Sequence, residues 1–428
     1  MGVAAVLALG LVQGSAAAML PAPAPGPAFI APDAPGGTAP GIEPAKLRAT
    51  LDAVHDAGMY GIFSAVRDGE KRWNGASGTA DARTGRPVTD GMQTRVGSIT
   101  KTFVATAILQ QVEKGTVQLD TPIGTYLPDV FPGQRGQQVT VRMLLNHTSG
   151  IGDYLVYAFP SITEWSSKSL DTERLRTVSA RQLIDWGLQA PPTGDPGEHW
   201  AYSNTNYIAA GLLLEKVTGT KAETYITRNV IGKAGLKHTY FPSGPGIQGP
   251  HPRMYESLYR HLDPPRDYST FNMSWAWTAG SLVSTVDDLN TFYRALFTGG
   301  LISPLSLAQM QQTVPVKDTD GNVTMKYGLG IYSLTAPCGT YWGHNGIVFG
   351  AGTQSLTSAD GRRQVSFSVN LTKYQRLDAD GAPVPDPIDS ALGAHATQAL
   401  CGAQAAVPSS EPGPVFRAMP LQFARTAP

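Results

Sequence analysis

The chain reads as strands, then a long helical stretch, then strands again. That order predicts an α/β (α+β) domain in which a helical region is inserted into a sheet-containing unit. Three observations carry this. Asp68-Gly69 separates two strand-like runs near the start, and Asp360-Gly361 separates two more near the end, as tight hairpin turns do. Between about residues 117 and 275, apolar positions recur at helical spacing between Pro/Gly loops.

Taken in order, residues 1–18 read as a signal peptide. A short apolar run spans 3–12, and the small residues Ser15-Ala16-Ala17-Ala18 suit cleavage, although no Lys or Arg precedes them. The run is too short to span a bilayer. Residues 19–43 are a flexible Pro/Ala-rich leader. The domain is expected over 44–402, with its helical insert at about 117–275. A helix from about Pro44 precedes a hairpin of strands 60–67 and 71–78. A helix carrying Ser98 follows and stops at Gly115. Further helical patterns cover 141–146, 180–188, 205–217 and 222–232. Thr285, with Asp288 three residues on, caps another helix, and a last helix spans about 388–400. Residues 403–428 are low in complexity and are expected to be disordered.

The chain has 33 basic and 33 acidic residues, so nothing points to nucleic acid or to an anionic membrane surface. Two cysteines, Cys338 and Cys401, are the only ones. An exported protein is expected to pair them, the alternative being two buried thiols. The eight histidines are scattered without metal-ligand spacing, so no metal or cofactor is expected.

Three short motifs carry chemistry. In Gly97-Ser98-Ile99-Thr100-Lys101, the spacing puts a hydroxyl and an amine on one helical turn. A serine needs a neighbour to take its proton, and a lysine does this once burial lowers its pKa. Tyr202-Ser203-Asn204 precedes a helical pattern. A phenol beside an ammonium is drawn toward phenolate, which would make Tyr202 a proton shuttle. Asn204 suits a substrate amide, but it equally suits a helix cap. In Gly343-His344-Asn345-Gly346-Ile347, glycines in a strand-like run signal close backbone approach. The amides of Ser98 and Ile347 are the expected oxyanion donors. Each motif also has a plainer structural explanation, in packing, capping or a turn.

Together and in this order, Ser-x-x-Lys, Tyr-x-Asn and His-x-Gly resemble the penicillin-recognising serine hydrolases. That family includes class C β-lactamases, secreted D-alanyl-D-alanine carboxypeptidases, and related esterases and D-aminopeptidases. The stretches Leu144-Leu145-Asn146-His147-Thr148-Ser149-Gly150, Ala279-Gly280-Ser281-Leu282-Val283-Ser284 and Tyr327-Gly328-Leu329-Gly330 are similar to its landmarks. The resemblance runs from about Pro44 to Cys401. It implies a β-lactamase-like fold, an antiparallel sheet flanked by helices with an all-α subdomain beside it.

It also implies catalysis by Ser98, Lys101 and Tyr202, and substrate contacts from Asn204, His344, Asn345, Gly346 and Ile347. Trp275 is expected at the mouth of the cleft, or else as an ordinary packed tryptophan. The implied protein is a secreted monomer, without stable membrane insertion, acting on a small molecule or a peptide such as a cell-wall peptide. The activity is ester or amide hydrolysis. Carboxypeptidase or β-lactamase action proper, and a non-catalytic penicillin-binding receptor, are the alternatives. Where many relatives have a lysine, this chain has His344. Where the secreted carboxypeptidases have an arginine, it has Tyr332, and Asn345 and Ile347 replace hydroxyl-bearing residues. Arg253, Arg260 and Arg266 are the candidates to restore the missing cation.

Overall fold

The computed structural model describes residues 41–318 and 321–406. The expected signal peptide, nearly all of the leader, and most of the tail lie outside them. The main sheet has nine strands: β1 (Gly61–Asp68), β2 (Lys71–Asp81), β3 (Arg86–Pro87), β4 (Val314–Lys317), β5 (Val323–Tyr327), β6 (Tyr332–Ala336), β7 (Gly339–Val348), β8 (Ala351–Ser358) and β9 (Arg363–Val369). Their order is β3-β2-β1-β9-β8-β7-β6-β5-β4. All neighbours are antiparallel. The two chain segments join where β1 pairs with β9, from Ile62↔Val369 to Asp68↔Arg363. The helical region therefore leaves the sheet at one edge, β3, and returns at the other, β4.

Both hairpins form where the sequence predicts them, with Gly69 and Gly361 at φ 61° and 68°. An ordinary side chain is strained at such a φ, and glycine is not. Every residue of β1 and β9 is buried, because helices cover both faces. One face carries α1 (Pro44–Asp56) and, as the last of the labelled helices, α6 (Pro387–Cys401), which pack on each other. In α1 the buried residues Leu47, Leu51 and Val54 fall on one stripe, at helical spacing. The other face carries α2 (Thr100–Glu113) and α5 (Val286–Phe297), with the insert helices α3 (Ala180–Gln189) and α4 (Thr205–Thr218) beyond α2. Thr285 caps α5 as expected, its hydroxyl accepting from the Asp288 amide at 3.2 Å.

Two expectations need correction. The insert is not wholly helical. Tyr255–Glu256 pairs in parallel with Leu371–Thr372 and antiparallel with Arg266–Asp267, tying a long loop back to the end of β9. The tail also begins in order, since Gly402–Ala406 forms a 3-10 turn and Ala405 packs on the core beneath α6.

What holds that end is a disulfide between Cys338, in the β6–β7 turn, and Cys401, the last residue of α6, with Cα atoms 5.4 Å apart. Tyr341 adds a hydrogen bond from its hydroxyl to the Leu400 carbonyl at 3.2 Å. The bridge closes a loop of 63 residues, which contributes about 4 kcal/mol in the chain-entropy model. Reduction should therefore lower the melting midpoint by about 5 °C for a domain of this size while leaving the fold intact at room temperature. Calorimetry with and without reductant checks this, and an unchanged midpoint would contradict it.

Candidate active site

Ser98 sits in a 3-10 turn, Gly97–Ile99, that runs directly into α2. This turn touches β7 through two glycines. A β-carbon on Gly97, whose φ is 52°, would lie 2.8 Å from the Ile347 amide nitrogen. One on Gly346 would lie 2.0 Å from the Val96 oxygen and 2.6 Å from the Ser98 nitrogen. Only hydrogen side chains let the two backbones meet this closely. The pairing of β6 to β7 ends at Tyr332↔Gly343, whereas β8 follows β7 to Val348. The far end of β7 thus offers one edge to the Ser98 turn, with the Ser98 and Ile347 amides brought side by side.

Lys101 lies one turn further into α2 and is fully buried. Its Nζ is 2.9 Å from Ser98 Oγ, 2.8 Å from Asn204 Oδ1 and 2.7 Å from the Ala279 carbonyl. Burial holds this amine down to about 7, against the pull of the Asp153 carboxylate. Tyr202 donates from its hydroxyl to Ser98 Oγ at 2.6 Å. Here the structure departs from the sequence reading. Burial pushes the Tyr202 phenol well above its ordinary range, so it is a neutral donor and not a phenolate. The lysine gives way because it loses more hydration as a cation than it gains from its neighbours.

Asn204 occupies the cap position before α4, yet its side chain makes no capping bond. Its Nδ2 and its backbone amide both donate to Asp153 Oδ2 at 2.8 Å. The side-chain amide therefore spans from Lys101 to Asp153. Asp153 also accepts from the Leu155 amide, at 2.9 Å, and burial raises its carboxyl. Sequence reasoning missed Asp153. The signal was its place just after the His147-Thr148-Ser149-Gly150 landmark. His147 was likewise quoted without a role, and it packs against the Tyr202 ring at 4.3 Å. Arg95, also missed, donates to the carbonyls of Pro245, Tyr268, Ser269 and Phe271, and so clamps a long loop beside the Ser98 turn.

The remaining expected residues divide. Gly346 and Ile347 meet Ser98 as described. His344 is fully buried, with Nε2 2.8 Å from the Tyr327 hydroxyl and Nδ1 2.5 Å from the Asn345 carbonyl. Burial holds it down to about 3, so it is neutral. Asn345 is buried next to it on β7. Trp275 is 7% exposed and packs among Phe159, Phe271 and Phe349.

Tyr332 is also buried, hydrogen-bonded to Gln354. Each of the three candidate arginines is paired with a carboxylate. Arg253 pairs with Asp267 and Asp81, Arg260 with Asp386, and Arg266 with Asp171. Among the described residues, no group of three or more His, Cys, Asp or Glu side chains could hold a metal ion.

The glycine contact gives a direct test. Gly346→Ala should force β7 off the Ser98 turn and displace the Ile347 amide, lowering kcat by about 10²–10³-fold, as the loss of one oxyanion donor does. Steady-state kinetics on a chromogenic ester, with circular dichroism to confirm folding, checks it. A folded variant with the wild-type rate would refute the pairing of these two amides.

Comparison with known proteins identifies the family. The family model described as Beta-lactamase matches residues 47–384. The chain is 28% identical to a putative penicillin-binding protein, PbpX, of Bacillus subtilis, over 75% of this chain and 73% of that one. It is 31% identical to esterase EstB of Burkholderia gladioli, over 48% of this chain and 54% of that one. Among solved structures, a D-stereospecific amidohydrolase from Streptomyces sp. is 34% identical, superposes with a TM-score of 0.71, and covers 78% of this chain and 95% of its own. No helix among the described residues is long and apolar enough to cross a membrane. With its mixed fold of helices on an antiparallel sheet, the chain belongs to the Beta-lactamase family, as an enzyme of the serine hydrolase kind.

Proposed function

We propose that the protein is an exported serine hydrolase that forms an acyl-enzyme at Ser98 with ester or amide substrates. One observation carries this reading, the set of contacts at Lys101 Nζ. The Asn204 Oδ1 and Ala279 oxygens can only accept. They take up both N–H bonds of a neutral amine, and the lone pair is left facing Ser98 Oγ.

Lys101 then removes the Ser98 proton as Oγ attacks the carbonyl, and the amides of Ser98 and Ile347 receive the charge that develops on oxygen. Tyr202, the other neighbour of Oγ, protonates the departing alcohol or amine and is reprotonated at the expense of Lys101. Water releases the acyl group by the reverse path. No cofactor is needed. The disulfide suits an oxidising compartment, which supports export.

For substrate, the D-stereospecific amidohydrolase and esterase relatives support amides and esters, with D-alanyl peptide or β-lactam hydrolysis as a lesser activity. A carboxylate held by a charged donor contributes about 1.5–3 kcal/mol against roughly 0.5–1.5 for a neutral one. Since Arg253, Arg260 and Arg266 are paired elsewhere, selection for a free carboxylate should be weaker by about tenfold.

Ser98→Ala should abolish turnover, and Lys101→Ala should lower it by about 10³–10⁴-fold with the fold intact. Below pH 7 the amine is protonated, so kcat/KM should fall about tenfold per unit there and level off above about 7. The decisive comparison is of rates on a p-nitrophenyl ester, nitrocefin, a D-alanine amide and a peptide ending in D-Ala-D-Ala. Peptide cleavage that dominates, and is lost when the terminal carboxylate is amidated, would return the protein to the carboxypeptidases. No Ser98 adduct with a fluorescent penicillin or a phosphonate would favour a binding role.

A further inference from the structure

His147 is wholly buried, yet it holds a left-handed backbone, with φ 60°. Outside Asn, Asp and His this is rare for a non-glycine residue. It contacts neither Ser98 nor Lys101 by hydrogen bond. All of its polar contacts go to the segment that carries Tyr202 and Asn204. Its carbonyl accepts from the Ala201 amide at 2.8 Å. Its Nδ1 lies 3.3 Å from the Ser203 amide and 3.2 Å from Asn206 Nδ2. Its ring lies on that of Tyr202, with centroids 4.3 Å apart at 37°.

Because a backbone N–H can only donate, Nδ1 must accept, and the ring proton sits on Nε2. That atom is buried without a hydrogen-bond partner. The rings of Tyr207 and Tyr327 pack against the imidazole, at 5.4 and 5.0 Å between ring centroids. The imidazole is thus committed at one nitrogen only, the one that holds the backbone between Tyr202 and Asn204.

We propose that His147 is a positioning residue for this chemistry. It is a neutral acceptor that fixes the peptide between Tyr202 and Asn204, so that the phenol meets Ser98 Oγ while the amide meets Lys101. The role rests on the acyl-enzyme reading above. It differs from ordinary core packing in what should replace it. A purely packing histidine is best replaced by a ring, and an acceptor at a left-handed position is best replaced by asparagine, which tolerates that backbone and offers Oδ1 in the place of Nδ1.

The test compares His147→Asn and His147→Phe in the full chain. Folding is followed by circular dichroism, and the competent fraction by titration of Ser98 with a phosphonate. Per competent site, His147→Phe should acylate about 100-fold more slowly on a p-nitrophenyl ester, the size expected when a reacting group is displaced by about 1 Å. KM should stay within about twofold, and His147→Asn should recover most of the rate whatever its melting midpoint. If His147→Phe does not fold, His147→Leu with Asn as partner gives the same contrast. Equal loss in the acceptor and apolar variants, a change in KM alone, or wild-type acylation in the apolar variant would each overturn the proposal. Failure of the wild-type protein to form a Ser98 adduct would instead remove the reading on which it rests.

Discussion

The site is organised around an amine that water cannot reach. Lys101 enters on α2, and its Nζ is met by oxygens from three other places in the chain. Lowering it from 10.5 to about 7 corresponds to roughly 5 kcal/mol between its two protonation states. Between those values the unfolded chain keeps a proton on this residue that the folded one has given up. Stability therefore rises with pH across that window, and the cost is greatest below about 7. The fold carries this burden because a neutral lysine is the useful form. Asp153 limits the cost without forming an ion pair, since the Asn204 amide stands between carboxylate and amine. Direct contact would keep the lysine charged and unable to take a proton.

Holding these groups together requires a sheet and a helical region that do not shift against each other. Gly97 and Gly346 supply a close contact at the site, and both are spaced so that any added carbon would meet backbone atoms. Backbone cannot rotate away as a side chain can, so the two amides stay where an oxyanion would need them. Behind β7, the disulfide and the Tyr341 bond fasten its hairpin to α6. On the far side, Arg95 holds the long loop through four carbonyls, from a position three residues before Ser98. Hydrogen bonds from a charged donor are the stronger kind, and these are spent on the ground beneath Ser98.

Much of this was legible in the sequence, and the parts that were not share a cause. Hairpins at Asp68-Gly69 and Asp360-Gly361, the stripe on α1 and the Thr285 cap are local, and local rules find them. The Ser98–Lys101 pair is also local, being one turn of chain. Asn204 was ambiguous because a helix cap and a substrate-amide contact demand the same residue at the same place, and only the fold shows its side chain joining Lys101 to Asp153. Asp153 and His147 act through contacts made 51 and 56 residues away, for which no spacing rule exists. The phenolate expected of Tyr202 failed for a different reason. Lys101 is near Tyr202 as expected, but burial removes the charge from the amine and raises the phenol, so neither group ionises as the sequence suggests. The arginines in the long loop find carboxylate partners both within that loop, as Arg253 does in Asp267, and far along the chain, as Arg260 does in Asp386 and Arg266 in Asp171.

The same balance bears on what the cleft can accept. His344 is neutral and engaged by Tyr327, and Tyr332 is turned into the core against Gln354. Lys101 then lies in direct contact with Ser98, and on the proposed mechanism it is charged only when it cannot act as base. An anionic substrate would therefore be attracted most strongly to the inactive protonation state. Binding a carboxylate beside Lys101 would also raise the lysine's pKa and shift the onset of activity to higher pH. A neutral ester or amide escapes this coupling, because it leaves the amine free to titrate at about 7. On the mechanism proposed above, this coupling would favour uncharged acyl donors over peptides held by a terminal carboxylate.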